Sequence, residues 1–141
     1  MKKIHLFSVL ASLLLGTTSC ATSKIDSKTV PNVDLTRYMG KWYEIGRFDV
    51  AFEKGLVGTT ANYTLNSDGT VEVINAGYKE TLTGAVSSAE GKARMRKSGK
   101  PGELEVAFFL NFYADYNILE LDTVGYSYSV VGSSSDKYLW I

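Results

Sequence analysis

The chain has 141 residues, one domain's worth, with fifteen basic and fifteen acidic side chains and a formal net charge of zero. That balance supplies no global attraction to nucleic acid. A single cysteine (Cys20) and a single histidine (His5) leave few parts for acid–base, nucleophilic or zinc chemistry, so no catalytic residue, metal or cofactor is expected.

Met1-Lys2-Lys3 is basic, Ile4 to Leu15 is apolar, and Gly16-Thr17-Thr18-Ser19 is small and polar before Cys20. This is the pattern of a secretory signal over residues 1–19, too short and wrongly flanked for a spanning helix. His5 and two lysines leave with it, so thirteen basic residues face fifteen acidic ones, about −2. One cysteine cannot form an internal disulfide, which leaves acylation, plain secretion or a free thiol. The position of Cys20 resembles the lipobox of bacterial lipoproteins, with Thr17 where a Leu is usual. The resemblance implies an acylated Cys20 holding the protein on a membrane, and residues 20–33 read as the lipidated cysteine and a polar tether.

From Val33 onward alternation and turn residues dominate. Strands are predicted in KWYEIGRF (41–48), ANYTL (61–65), TVEVIN (70–75), GKARMRK (91–97), ELEVAFF (103–109), ADYNILELD (114–122), YSYSVV (126–131) and KYLWI (137–141). Asn66-Ser67-Asp68-Gly69 and Ser98-Gly99-Lys100-Pro101-Gly102 are hairpin turns. Eight short strands with no long helix point to an up-and-down barrel or a sandwich.

Alternation assigns faces. Ala61, Tyr63 and Leu65 oppose Asn62 and Thr64. Val71, Val73 and Asn75 oppose Glu72, and Ala93 and Met95 oppose Lys92, Arg94 and Arg96. Leu104, Val106 and Phe108 oppose Glu103 and Glu105, while Tyr138 and Trp140 oppose Leu139 and Ile141. The sixth strand is ambiguous: Tyr116 and Ile118 form one inward candidate, Leu119 and Leu121 the other.

Gly40-Lys41-Trp42-Tyr43-Glu44-Ile45 resembles the first lipocalin signature, G-x-W followed by Y-E-I. In order and spacing, residues 52–78, EGKARM (90–95), FFLNFYADYNILELD (108–122) and DKYLWI (136–141) resemble lipocalin lipoproteins of the Blc type. The resemblance covers residues 34–141. It implies an all-β domain, an eight-stranded antiparallel up-and-down lipocalin barrel, that binds fatty acid or lysophospholipid without catalysis. It also implies a lipid anchor in the outer membrane, on the periplasmic face; a homodimer is carried as a further partner. Trp42 is expected to plug the closed base, with Gly40 giving the entering chain room to cross beneath it.

Three departures bear on this. Asp122-Thr123-Val124-Gly125-Tyr126 is one residue longer than the second signature, so that turn is expected to be reshaped. The third signature, an Arg stacking on the base Trp, lies beyond Ile141. The last strand is therefore expected to be cut short, with the C-terminal helix missing and Leu119, Leu121 and Ile141 uncovered, as in a fragment.

Phe48, Ala61, Tyr63, Val73, Met95, Val106, Phe108, Tyr116, Ile118, Tyr138 and Trp140 are the expected ligand-binding residues, and Phe48 to Phe52 the first loop over the mouth. Arg47 reads first as a solvated rim arginine and second as a contact for an anionic headgroup. Lys92, Arg94, Arg96, Lys97 and Lys100 read first as a wet strand face and second as steering toward anionic lipid. The alternatives to a lipid carrier are a lipocalin-fold enzyme using Glu44 or Glu120, and a pigment or haem binder.

Overall fold

The computed structural model describes residues 27–141, so the expected signal segment and Cys20 lie outside the described residues. Eight antiparallel strands run in chain order: β1 (Gly40–Tyr43), β2 (Leu56–Leu65), β3 (Val71–Lys79), β4 (Val86–Met95), β5 (Glu103–Ala107), β6 (Ala114–Leu121), β7 (Ser129–Gly132) and β8 (Leu139–Trp140). Sheet order equals chain order, the meander that hairpin connections produce. The turn between β2 and β3 shows why. Asp68 accepts from the Thr70 N–H at 2.9 Å, and Gly69 takes φ +81°, which sets the register Leu65↔Val71 and Tyr63↔Val73.

The expected single strand 41–48 is instead two segments with different partners. β1 ends at Tyr43, after which Glu44 N–H still bonds Thr59 O at 3.0 Å. Ile45 and Gly46 then donate to Ile141 O, and Phe48 to Leu139 O at 3.0 Å. These bonds return β8 to the start of the sheet and curl it around a cavity. β2 and β4 begin earlier than ANYTL and GKARMRK suggested, because cross-strand pairing recruits residues without apolar alternation. β5 stops at Ala107, leaving Phe108 outside the strand.

The closed end is solid. Val30, Tyr38, Leu104, Ile118 and Leu121 form one buried cluster, and Val71, Val73 and Ala93 a second. Val30, inside the stretch read as a tether, is buried there, and its N–H bonds Ile118 O at 2.9 Å. A bulge resolves the ambiguity of the sixth strand. Ile118 pairs Val131 and Glu120 pairs Val130, so Leu119 is the extra residue. Ile118 and Leu121 therefore both face inward, and Leu121 is not on the uncovered outer face where it was expected. Leu119 lies over Gly132, where an added Cβ would come within 2.8 Å of it.

A four-residue helix, α1 (Leu35–Tyr38), precedes β1, capped by the Asp34 carboxylate, which accepts from the Thr36 and Arg37 N–H groups. One turn is too short to leave a periodic signal. Its last residue, Tyr38, is 3 % exposed and forms part of the floor beneath the sheet.

Candidate functional site

The sheet encloses a cavity of about 900 Å³. Of the expected ligand-binding residues, Ala61, Tyr63, Val73, Val106, Phe108, Tyr116, Tyr138 and Trp140 stand on its wall. Met95 and Ile118 pack into the closed-end cluster instead. Phe48 is off the wall and 49 % exposed, its backbone occupied with Leu139. The strand ladder explains the agreement: Ala61 opposes Asn75 and Tyr63 opposes Val73, so these side chains share one face.

At the floor, Trp42 donates its indole N–H to Tyr38 O at 2.8 Å, and its ring lies 4.8 Å from that of Tyr38. Gly40 was expected to provide room, yet nothing would lie within 4 Å of an added Cβ. The requirement is conformational, φ +100°. Above the floor runs a chain of hydroxyls. Tyr63 Oη lies 2.9 Å from Tyr116 Oη, Tyr116 Oη 3.0 Å from Tyr38 Oη, and Tyr38 Oη 3.2 Å from Ser129 Oγ, which donates to Glu120 O. Burial disfavours the phenolate and pushes the pKa values of Tyr38, Tyr63 and Tyr116 upward, so all three stay protonated and serve as donors.

The turn over Asp122–Tyr126 is organised around Asp122. Its carboxylate accepts from the N–H groups of Gly125, Val124 and Ser127 and from the Ser127 hydroxyl. These bonds, led by that from Gly125, hold its carboxyl down at about 2. Tyr126 accepts from Asp34 N–H at 2.9 Å, and Arg37 lies 4.3 Å above the Tyr126 ring while bonding the Val124 carbonyl. An arginine thus does clamp the floor region, but from α1.

At the mouth, Arg47 is neither a solvated rim residue nor free for a headgroup. It pairs with Glu44 and Glu53 and donates to the carbonyls of Glu53 and Leu56 at 3.0 and 3.1 Å. Glu53 ends a 3₁₀ turn (Ala51–Glu53), is 5 % exposed, and accepts the Trp140 indole N–H at 3.0 Å. Burial pushes the pKa of its carboxyl up, reinforced by the neighbouring charge of Glu44 and opposed by Trp140 and Arg47. Glu44, one of the two enzyme candidates, lines the cavity with its carboxylate held by Arg47; Glu120, the other, is exposed. The basic strip is largely committed: Arg94 pairs Glu105 at 2.6 Å and lies 3.9 Å from the Tyr113 ring, Arg96 pairs Asp115, and Lys92 bonds Asn111.

Sequence reading overlooked Tyr38, Glu53, Thr59 and Ser129 on the wall. Tyr38 lies four residues before Trp42, and Glu53 and Thr59 lie within the family-like stretch 52–78, but none of them was marked by alternation.

A family model described as a lipocalin-like domain matches residues 33–141. The outer membrane lipoprotein Blc of Vibrio cholerae serotype O1 is 40% identical over 136 residues, spanning 96% of this chain and 78% of that protein. The protein of the same name from Escherichia coli K12 is 40% identical over 131 residues, 93% and 73% of the two chains. Temperature-induced lipocalin-1 of Arabidopsis thaliana is 34% identical, covering 85% and 67%. Among solved structures, insecticyanin from the tobacco hornworm Manduca sexta superposes with a TM-score of 0.62 at 22% identity, over 80% of this chain and 64% of that one. That likeness speaks to the fold alone.

Proposed function

The chain belongs to the lipocalin family, and from that premise we propose that it binds a single-chain lipid, a fatty acid or lysophospholipid, without catalysing a reaction. The carrying observation is the cavity of about 900 Å³, walled by Ala61, Val73, Val106 and Val131 and floored by Trp42. Burying an acyl chain there gains roughly 0.8 kcal/mol per methylene. Twelve to sixteen methylenes (an order-of-magnitude choice of about one common acyl chain) exceed the cost of ordering one headgroup, so selectivity for chain length is weak.

Relatives named as outer membrane lipoproteins support a place at the outer membrane of a bacterial envelope. We infer that acylation of Cys20 holds the protein there, on the periplasmic face. Metabolic labelling with a tritiated fatty acid, with Cys20→Ser as control, tests the anchor, and an unlabelled wild type sinks it. Native mass spectrometry followed by denaturing lipid extraction tests the carrier. Co-purifying fatty acid or lysolipid is expected. An empty protein that turns over a lipid, and loses that activity as Glu44→Gln, overturns it.

A further inference from the structure

Charged side chains on the cavity wall are Glu44, Glu53, Asp115 and Lys41. Arg47 is not on the wall: its guanidinium is shared by Glu44 and Glu53 and donates through Nη2 to two backbone carbonyls, while Nε faces Glu53 at 3.5 Å without a hydrogen bond. Asp115 is paired with Arg96. Lys41 stands on the exposed face of β1 next to Trp42, three residues from Glu44 toward the closed end. The mouth half of the cavity therefore carries two carboxylates against one guanidinium, and no wall cation among the described residues stands there to meet a lipid carboxylate.

Three aromatic rings line the same mouth. Phe52 and Trp140 have centroids 6.4 Å apart, and Tyr138 and Trp140 6.0 Å apart. Phe52 is 65 % exposed and Tyr138 39 %, so neither ring is covered by protein. Trp140 is fixed against the Glu53 carboxylate by its indole N–H. Thr59, bonded through its carbonyl to Glu44 N–H, is 6 % exposed on the wall, and its hydroxyl has no hydrogen-bond partner among the described residues. Aromatic faces beside carboxylates attract an organic cation and repel an anion.

We propose that the mouth is a headgroup site for an ammonium-bearing lipid, in which Phe52, Tyr138 and Trp140, with the carboxylates of Glu44 and Glu53, receive a primary or quaternary ammonium while its hydrocarbon chain fills the cavity below. This rests on the lipid-carrier reading and narrows it: the ammonium comes from a zwitterionic lysolipid or a long-chain amine, and a simple fatty acid is the poorer ligand. Burial that resists the ionised form of Glu53 is relieved when a cation sits against it, which favours the same class.

The test measures binding of four C16 probes to the delipidated protein, each below its critical micelle concentration, by quenching of Trp42 and Trp140. The probes are hexadecyltrimethylammonium, hexadecylphosphocholine, hexadecanol and palmitate. At least one ammonium probe is expected to bind about tenfold tighter than palmitate near neutral pH, with hexadecanol between them. An advantage shared by phosphocholine identifies a zwitterionic lysolipid as the source; one confined to hexadecyltrimethylammonium identifies an amine. Phe52→Leu, at an exposed position that carries little of the fold, and Glu53→Gln are each expected to bring the ammonium-to-palmitate ratio toward one. Palmitate equal to or tighter than both ammonium probes, or a ratio unmoved in both variants, overturns the headgroup site and leaves the carrier reading standing. Failure of all four probes to bind overturns both.

Discussion

Trp42 donates its indole N–H to the carbonyl of Tyr38 at 2.8 Å while the two rings lie 4.8 Å apart, tilted by 30°. The plug at the closed end is thus held by a residue four positions earlier. Tyr38 in turn reaches Tyr116 and Ser129 through its hydroxyl, so floor and far wall are one unit.

Trp42→Ala should cost about 3 kcal/mol in urea unfolding, the low end for a buried Trp because this one is only partly buried. Trp42→Phe should cost less, since it keeps most of the ring and loses one hydrogen bond, worth about 1 kcal/mol. Equal losses would mean that the hydrogen bond rather than the packing seals the floor.

Tyr116 sits in the middle of the hydroxyl chain and Tyr63 at its end. Tyr116→Phe strips partners from two buried phenols and should cost about 2 kcal/mol, whereas Tyr63→Phe strips one and should cost about 1 kcal/mol. Chemical denaturation of both variants gives the ordering; a reversed order contradicts the chain.

Glu53 has its folded pKa raised chiefly by burial. The unfolded carboxyl titrates near 4.3. The penalty on the ionised form is complete above the folded value and is relieved as pH falls from there toward about 4.3. Wild type should therefore gain thermal stability relative to Glu53→Gln on acidification through that window, since Gln keeps an acceptor for Trp140 and does not titrate. A melting-temperature difference independent of pH argues against the buried acid.

Asp122 behaves oppositely, because its carboxyl is held at about 2 by the turn it caps. Its contribution is present above an unfolded value of about 3.9 and is lost as pH falls toward about 2. Asp122→Asn should melt a few degrees lower than wild type at neutral pH, and the gap should close on strong acidification. Amide exchange of Val124 and Gly125 should quicken in the variant.

Arg47→Met keeps the apolar stem but leaves Glu44 and Glu53 facing each other. A loss of about 3 kcal/mol is expected, as for other largely buried ion pairs broken on one side. Adding Glu44→Gln and Glu53→Gln should restore much of it. If the triple variant is no more stable than Arg47→Met, the clamp acts through its backbone hydrogen bonds.

Alternation assigns Ala61, Tyr63, Val73 and Val106 to inward faces of their strands, and the resemblance of GKWYEI to a family signature implies the floor. Both are local signals: strand period and a short motif survive whatever the rest of the chain does. The mouth was not legible in this way. Arg47 looked like a rim residue because its partner Glu53 lies in a loop without pattern, and Trp140, which fixes Glu53, is 87 residues further on. The bulge at Leu119 defeated period counting on β6, since one inserted residue exchanges the faces beyond it.

By itself, then, the sequence determined the short hairpin-linked strands and their apolar inner faces, because each follows from neighbours within a few residues. The barrel order and the aromatic floor were implied by the family resemblance. The tertiary structure alone decided which charges are spent on one another and which remain for a ligand. Electrostatic pairing depends on distance in space, and curling the sheet brings Glu44, Arg47, Glu53 and Trp140 together from segments that nothing in the sequence links.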